Sequence, residues 1–290
     1  MRVLVTGAEG QVGTEIVAQL DHRAAERRRG PAWRIAAAGR EEIDVSRREV
    51  VLAAVVGFEP DVIIHAAAFT DVDACESAPE RAFAVNALGT RHVAEAARLV
   101  SAHVCYMSTD YVFDGHSERA YTEWDRPNPL SVYGLSKLAG EQELDSGATI
   151  VRTSWVSGRH GRNIVKTILR LSAAGSTLRF VDDQRGSPTV SSDLAAKLVA
   201  LALSRRPGIF HVTNQGETTW YGLARAVLRH AGLDPDRVEP IATADLDPPR
   251  PAPRPINSVL DNAVLRLDGD ELLPRWEVSI GRLVEALTGD

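Results

Sequence analysis

Tyr133 and Lys137 stand four residues apart in the segment Tyr133-Gly134-Leu135-Ser136-Lys137. On a helix, four residues is about one turn, so both side chains share a face, about 6 Å apart along the axis. A free tyrosine, with a pKa near ~10, is a sluggish acid or base at neutral pH. A nearby ammonium favours the phenolate and lowers that value. The pair therefore suits proton transfer, with Lys137 tuning Tyr133 and also reaching a ribose hydroxyl. Upstream, Ser108-Thr109-Asp110 ends an apolar run. A hydroxyl at the carboxyl end of a strand faces the ligand crevice of an open sheet. Thr109 or Ser108 is thus expected to hydrogen-bond the same substrate oxygen as Tyr133.

A second constellation opens the chain. Gly7-Ala8-Glu9-Gly10-Gln11-Val12-Gly13 has GxxGxxG spacing directly after an apolar stretch. Gly7, Gly10 and Gly13 would permit a tight turn, close approach of a pyrophosphate, and close helix–strand packing. The following helix offers free N–H groups to phosphate. The next strand ends Ala38-Gly39-Arg40. Arg40 suits a 2′-phosphate and so NADPH; Glu41 or Glu42 would instead take ribose hydroxyls, which leaves NADH open. Asp44-Val45 would flank the adenine, or Asp44 would cap a turn. Other chemistries find less support. None of the eight histidines forms an HExxH or other i,i+4 pair, so no metal site is expected. There is no GxSxG elbow. His65 and Cys105 lie in apolar runs and read as core. Trp155 ends a strand at a domain junction and reads as a sugar platform or as core.

The scaffold for these groups is legible in the hydrophobic pattern. Residues 2–6, 33–38, 61–66, 103–108 and 148–153 read as strands, and 14–22, 81–99 and 133–144 as helices. That alternation implies parallel strands with crossover helices, a Rossmann-type doubly wound α/β sheet. After Trp155 the pattern loosens: 163–173, 192–203 and 219–231 read as helical and 208–213 as a strand. Residues 1–154 with about 192–232 are expected to form a dinucleotide-binding domain. About 155–191 and 233–290 are expected to form a smaller α/β substrate domain. Asp247 to Pro255 is proline-rich and reads as an ordered loop.

The 290 residues carry 33 Lys and Arg against 39 Asp and Glu, a net charge of −6. A mildly acidic chain lacks the field of a nucleic-acid binder, and Arg27-Arg28-Arg29 reads as a solvated loop. No apolar run approaches the roughly 18 residues of a membrane span. Two cysteines, without a CxxC, make no disulfide framework or metal motif. A cytoplasmic protein without membrane or nucleic-acid partners is expected.

Together these segments resemble the extended short-chain dehydrogenase/reductase superfamily and, within it, the dTDP-4-dehydrorhamnose reductase family. The resemblance runs through GAEGQVG (7–13), HAAAFTDVDACE (65–76), AVNALGT (84–90), STDYVFDG (108–115), VYGLSKLAGE (132–141), VRTSWV (151–156), DDQRGSPT (182–189) and RPINSVL (254–260). It implies hydride transfer from NAD(P)H to C4 of a dTDP-4-keto-6-deoxyhexose, giving a precursor of cell-surface polysaccharide. It implies Tyr133 as proton donor, Lys137 as its tuner and Thr109 as an assistant at the carbonyl. Asp110 and Tyr111 would contact the sugar, and Val72 and Trp155 would line its pocket. Gly10, Gln11, Val12, Asp44, Val45, Ala68, Phe69 and Thr70 would hold the cofactor, with Met107 beside it. Some family members bind magnesium through carboxylates at a homodimer interface. Glu15 matches one such position, but Ser192 stands at a second, which speaks against magnesium and against that mode of dimerisation. Reductases of other dTDP-4-keto sugars share these motifs. A non-catalytic regulatory subunit of methionine adenosyltransferase shares the fold and the resemblance, and the intact Thr109, Tyr133 and Lys137 favour an enzyme over it; a sugar-nucleotide epimerase with retained NAD is a third alternative.

Overall fold

In chain order, β1 (Arg2–Thr6) runs through the glycine loop into α1 (Gln11–Glu26). β2 (Arg34–Ala38), α2 (Arg48–Phe58) and β3 (Val62–His65) follow. Two short helices come next, α3 (Val72–Ser77) and α4 (Pro79–Phe83), then a π-helical turn over Ala84–Leu88. α5 (Gly89–Val100), β4 (His103–Thr109), α6 (Val132–Gln142) and β5 (Thr149–Thr153) complete the first half. The second half holds β6 (Val156–Ser157), α7 (Ile164–Ala173), β7 (Leu178–Val181), β8 (Arg185–Gly186) and β9 (Thr189–Val190). It continues with α8 (Ser191–Ser204), β10 (Gly208–His211), β11 (Thr218–Thr219), α9 (Trp220–His230), β12 (Val238–Ile241), α10 (Ala263–Leu267) and α11 (Trp276–Thr288). This is a computed structural model, and it describes residues 1–26, 32–175 and 177–289. The Arg27-Arg28-Arg29 run lies outside the described residues.

Six strands pair in parallel in the order β10-β5-β4-β3-β1-β2. Successive side chains of a strand point to opposite faces, and the two cores follow from that. Val3, Val5, Val62 and Ile64 meet Ile16 and Leu20 of α1 and Leu194 and Leu198 of α8. Leu4 and Ile63 meet Val51 and Val55 of α2 and Val93 and Ala97 of α5 on the other side. The sheet is doubly wound, as its strand–helix alternation predicts. Its order reverses between β1 and β3, and the carboxyl ends there open a ligand crevice.

Several boundaries differ from the pattern reading. The stretch 81–99 is not one regular helix: α4 and α5 are joined by the π-helical turn. Helix α2 carries only two buried side chains, Val51 and Val55, too few to mark a face by periodicity. The second unit is built around a separate core, in which Ile168 of α7, Leu178 of β7, Leu223 and Val227 of α9, and Trp276 and Ile280 of α11 pack together. Helix α9 therefore belongs with this core, whereas the sequence grouped residues 192–232 with the first unit. The exchange is mutual: Leu265 and Leu273, grouped with the second unit, pack into the first core beside α8. Proximity along the chain is a poor guide here: after β10 the chain leaves the central sheet through β11, which pairs with β8, and α9 turns its apolar stripe to the second core.

Candidate active site

Gly7 adopts φ +70, and a Cβ there would come within 2.6 Å of Ala67 N. A Cβ on Gly13 would meet the Gly7 carbonyl at 2.1 Å, so α1 can lie this close to β1 only with glycine. Gly10 closes the loop with its N–H on Gly7 O at 3.0 Å. A cleft of about 330 Å³ opens beside the loop, lined by Gly7, Gly10, Arg40, Asp44, Phe69 and Arg81 among others. Val45 and Ala68 also line it. Arg40 and Arg81 have no ion-pair partner among the described residues, and the Arg81 guanidinium lies 4.4 Å over the Phe69 ring. A hollow with a glycine floor and two guanidinium groups on its wall fits a phosphate-bearing dinucleotide.

Its acidic groups are partly spoken for. Asp44 accepts from Ser46 N at 3.0 Å and Oγ at 2.6 Å, and these bonds hold its carboxyl below the usual range. That is the turn-capping arrangement, and it leaves Asp44 on the cleft wall. Glu42 accepts from Gly39 N at 2.8 Å. Val12 is buried in the first core, while Gln11 donates to Val156 O at 3.1 Å and accepts from Asn163 at 2.8 Å. Thr70 is exposed.

Ser131 caps α6 by accepting from Gly134 N at 3.1 Å, and Tyr133 and Lys137 follow on its buried face. Tyr133 packs with Cys75, Ala82, Phe69, Val72 and Tyr111. The Tyr111 ring meets it edge-on at 5.5 Å. Burial raises the Tyr133 phenol above its ordinary value, and a hydrogen bond with Thr109 opposes the rise. The expected tuning by Lys137 is not the ruling influence in this arrangement. Lys137 instead donates to Met107 O at 2.7 Å, with its ammonium 4.0 Å over the Tyr106 ring. Burial brings Lys137 down to about 7, against a smaller opposing pull from Glu141. Thr109 donates to Asp110 at 2.9 Å; burial raises Asp110 to about 6, against hydrogen bonds that lower it. Of the two hydroxyls left open by the sequence, Ser108 is taken up by Glu141, to which it donates at 2.5 Å. His65 is fully buried between Thr6 and Thr90, and Cys105 packs in the first core.

A second hollow of about 290 Å³ adjoins Tyr111 and is lined also by Phe180, Trp220, Arg179, Arg250 and Arg254. None of these last five was given a role by sequence reading; the signals were Arg250 and Arg254 in the proline-rich loop, with Arg254 also opening the RPINSVL segment, and no spacing rule groups them with Arg179. Arg254 forks onto Asp73 of α3 at 2.5 and 2.7 Å, docking that loop onto the first unit. Trp155 sits at φ +47 and stacks on Trp220, centroids 3.5 Å apart and planes 7° from parallel. One indole face is therefore covered by a partner from the second core.

Glu15 lies 3.8 Å from His160, in a hollow with Arg159, Ser192 and Arg282. Nearby Asp193 is taken by Ser279 at 2.5 Å and by Arg282. One carboxylate among guanidinium groups does not make the oxygen cage a magnesium ion needs. No group of three or more His, Cys, Asp or Glu among the described residues could hold a metal. Nor is any described helix long and apolar enough to cross a membrane.

A parallel sheet with a glycine loop at its switch point and a buried Tyr–Lys face is the architecture of the short-chain dehydrogenase/reductase class. Residues 1–288 match the family described as RmlD substrate binding domain, and the chain belongs to that family. A dTDP-4-dehydrorhamnose reductase of Streptomyces griseus is 43% identical over 99% of this chain and 94% of its own. A dTDP-4-keto-6-deoxy-D-glucose reductase of Streptomyces niveus is 38% identical over 100% of this chain and 98% of its own. The crystal structure of dTDP-4-dehydrorhamnose reductase from Bacillus anthracis in complex with NADP superposes with a TM-score of 0.90 at 36% identity, covering 97% of this chain and 98% of that one.

Proposed function

We propose that this chain reduces the C4 carbonyl of a dTDP-4-keto-6-deoxyhexose with NADPH, taking dTDP-4-dehydro-β-L-rhamnose to dTDP-L-rhamnose. One observation carries the reading. Tyr133 packs against a wall residue of each hollow: Phe69 of its apolar cluster lines the glycine-floored cleft, and Tyr111, edge-on to it, lines the arginine pocket. A carbonyl held beside Tyr133 has a dinucleotide on one side and a nucleotide sugar on the other.

When bound, the reduced nicotinamide supplies the hydride. Burial keeps the Tyr133 phenol protonated, which suits a donor. As C4 gains the hydride, the C=O π electrons move to oxygen, and that oxygen takes the phenolic proton. Thr109, bonded to Tyr133, would turn its one hydroxyl proton from Asp110 to the oxygen where negative charge develops. Lys137, one turn along the same face, places a cation behind the phenolate left by the transfer. Arg179, Arg250 and Arg254 give the second pocket the charge to hold a diphosphate, and Phe180 and Trp220 give it apolar faces for a base or sugar.

The test is loss of NADPH absorbance with a panel of dTDP-4-keto sugars and the purified protein. Turnover of dTDP-4-dehydro-β-L-rhamnose is expected. The Streptomyces niveus relative supports a second reading, a different dTDP-4-keto sugar, and the panel separates the two. No turnover with any member, or NAD retained through purification, would overturn the reductase reading.

A further inference from the structure

Three buried side chains from three elements meet behind Lys137. Glu141 follows Lys137 by one helical turn, as Lys137 follows Tyr133, so all three share the buried face of α6. The Glu141 carboxylate accepts from Ser108 Oγ at 2.5 Å and from Arg152 Nε and Nη2 at 2.9 and 2.6 Å. Ser108 and Arg152 are register partners on β4 and β5. Ser108 is flanked by two residues on which the site depends: Met107, whose carbonyl takes Lys137 Nζ, and Thr109, which bonds Tyr133. The side chains of Arg152 and Glu141 are only 2% and 5% exposed. Burying such a pair adds little stability by itself, because lost hydration offsets much of the attraction. Its placement points to a different use.

We infer that Glu141 is a positioning residue: through Ser108 it fastens the end of β4 to α6 and so sets the spacing of Thr109 and the Met107 carbonyl from the Tyr133–Lys137 face. Arg152 holds the carboxylate from β5, so the grip has one geometry. The inference rests on the reductase reading above. A second consequence is electrostatic. Lys137 is faced by His65 from β3, by the Tyr106 ring from β4, by Tyr133 and Glu141 from its own helix, and by Arg152 of β5 through Glu141. His65 is held neutral by burial. Glu141 favours the Lys137 cation, so removing its charge makes Lys137 lose its proton at lower pH.

Two variants test this. Ser108→Ala breaks the strand's grip and leaves the ion pair intact. It should lower kcat about tenfold, less than the hundredfold cost of a misplacement near 1 Å, with KM nearly unchanged and a modest fall in melting temperature from the lost buried hydrogen bond, and Ser108→Thr should restore the rate. Glu141→Gln keeps an acceptor for Ser108 but removes the charge, and should move the alkaline limb of the kcat–pH profile to lower pH. NADPH affinity, followed by fluorescence across the same pH range, should show the same downward move and needs no turnover. An inert wild type overturns the reductase reading, while the NADPH titration still tests Glu141. A Ser108→Ala rate within about twofold of an active wild type overturns the positioning role, and limbs unmoved in Glu141→Gln overturn its electrostatic consequence. Should Glu141→Gln fail to fold, Ser108→Ala with its threonine rescue decides.

Discussion

A protonated tyrosine, the Thr109 hydroxyl and a lysine that burial brings down to about 7 are what the candidate site offers at the scale of single residues. Tyr133→Phe keeps the ring in its apolar cluster and removes the proton. It should cut kcat by about 10²-fold or more, the usual scale of a lost general acid, with NADPH affinity unchanged in a fluorescence titration. Arg40, on the cleft wall, is proposed to hold a 2′-phosphate. Arg40→Ala should weaken NADPH by about 1.5–3 kcal/mol, the scale of a charged hydrogen bond, and leave NADH unaffected; equal losses for both would make Arg40 structural. The types and spacing of Tyr133, Lys137 and Arg40 were legible in the sequence, because one helical turn or one strand end places them. The acceptor of Lys137 was not: Met107 is thirty positions away, and only the packing of α6 on β4 brings its carbonyl to 2.7 Å.

The elements make glycine a test of close approach. In the glycine loop, Gly13→Ala puts a methyl group 2.1 Å from the Gly7 carbonyl. It should cost about 1–3 kcal/mol in a denaturant melt and impair cofactor binding. In α2, Gly57 has nothing within 4 Å of an added Cβ, and Gly57→Ala should stabilise by about 0.5–1 kcal/mol. The GxxGxxG spacing announced the first glycine; nothing local distinguished the second. Helix α11 could have been read from its buried Trp276, Ile280, Leu283 and Val284, whose spacing is helical. Trp155 shows the opposite case. Its half-buried ring lies flat on Trp220, a partner that no periodicity names. Trp155→Ala should lower the melting temperature and, if the pair also borders the sugar, raise KM for the nucleotide sugar more than it weakens NADPH.

For the whole molecule, acid stability follows from two buried histidines. Burial pushes His65 and His211 each down to about 3, whereas an unfolded chain protonates them near ~6.5. Between those values the unfolded state binds more protons, so stability falls as pH drops below about 6.5 and continues to fall toward 3. Melts between pH 7 and 4 should show this, and His65→Asn should flatten the slope. The two units are tied by Arg254 on Asp73, beside the arginine pocket. Arg254→Ala should raise KM for the nucleotide sugar about tenfold, or ~1.4 kcal/mol, and leave NADPH affinity unchanged in the same titration.

What the sequence determined by itself was whatever neighbours within a turn or a strand can encode. That covers the alternation that gives β1, β3 and β4 two buried faces, the glycines that let α1 close on β1, and the one-turn spacing of Tyr133 and Lys137. Tertiary structure decided which distant groups meet. It gave Ser108 to Glu141, moved α9 into the second core, and gathered Arg179, Arg250 and Arg254 around Tyr111. Those outcomes depend on which buried faces pack together and which buried polar groups must find partners. That is a property of the folded surface rather than of any period along the chain.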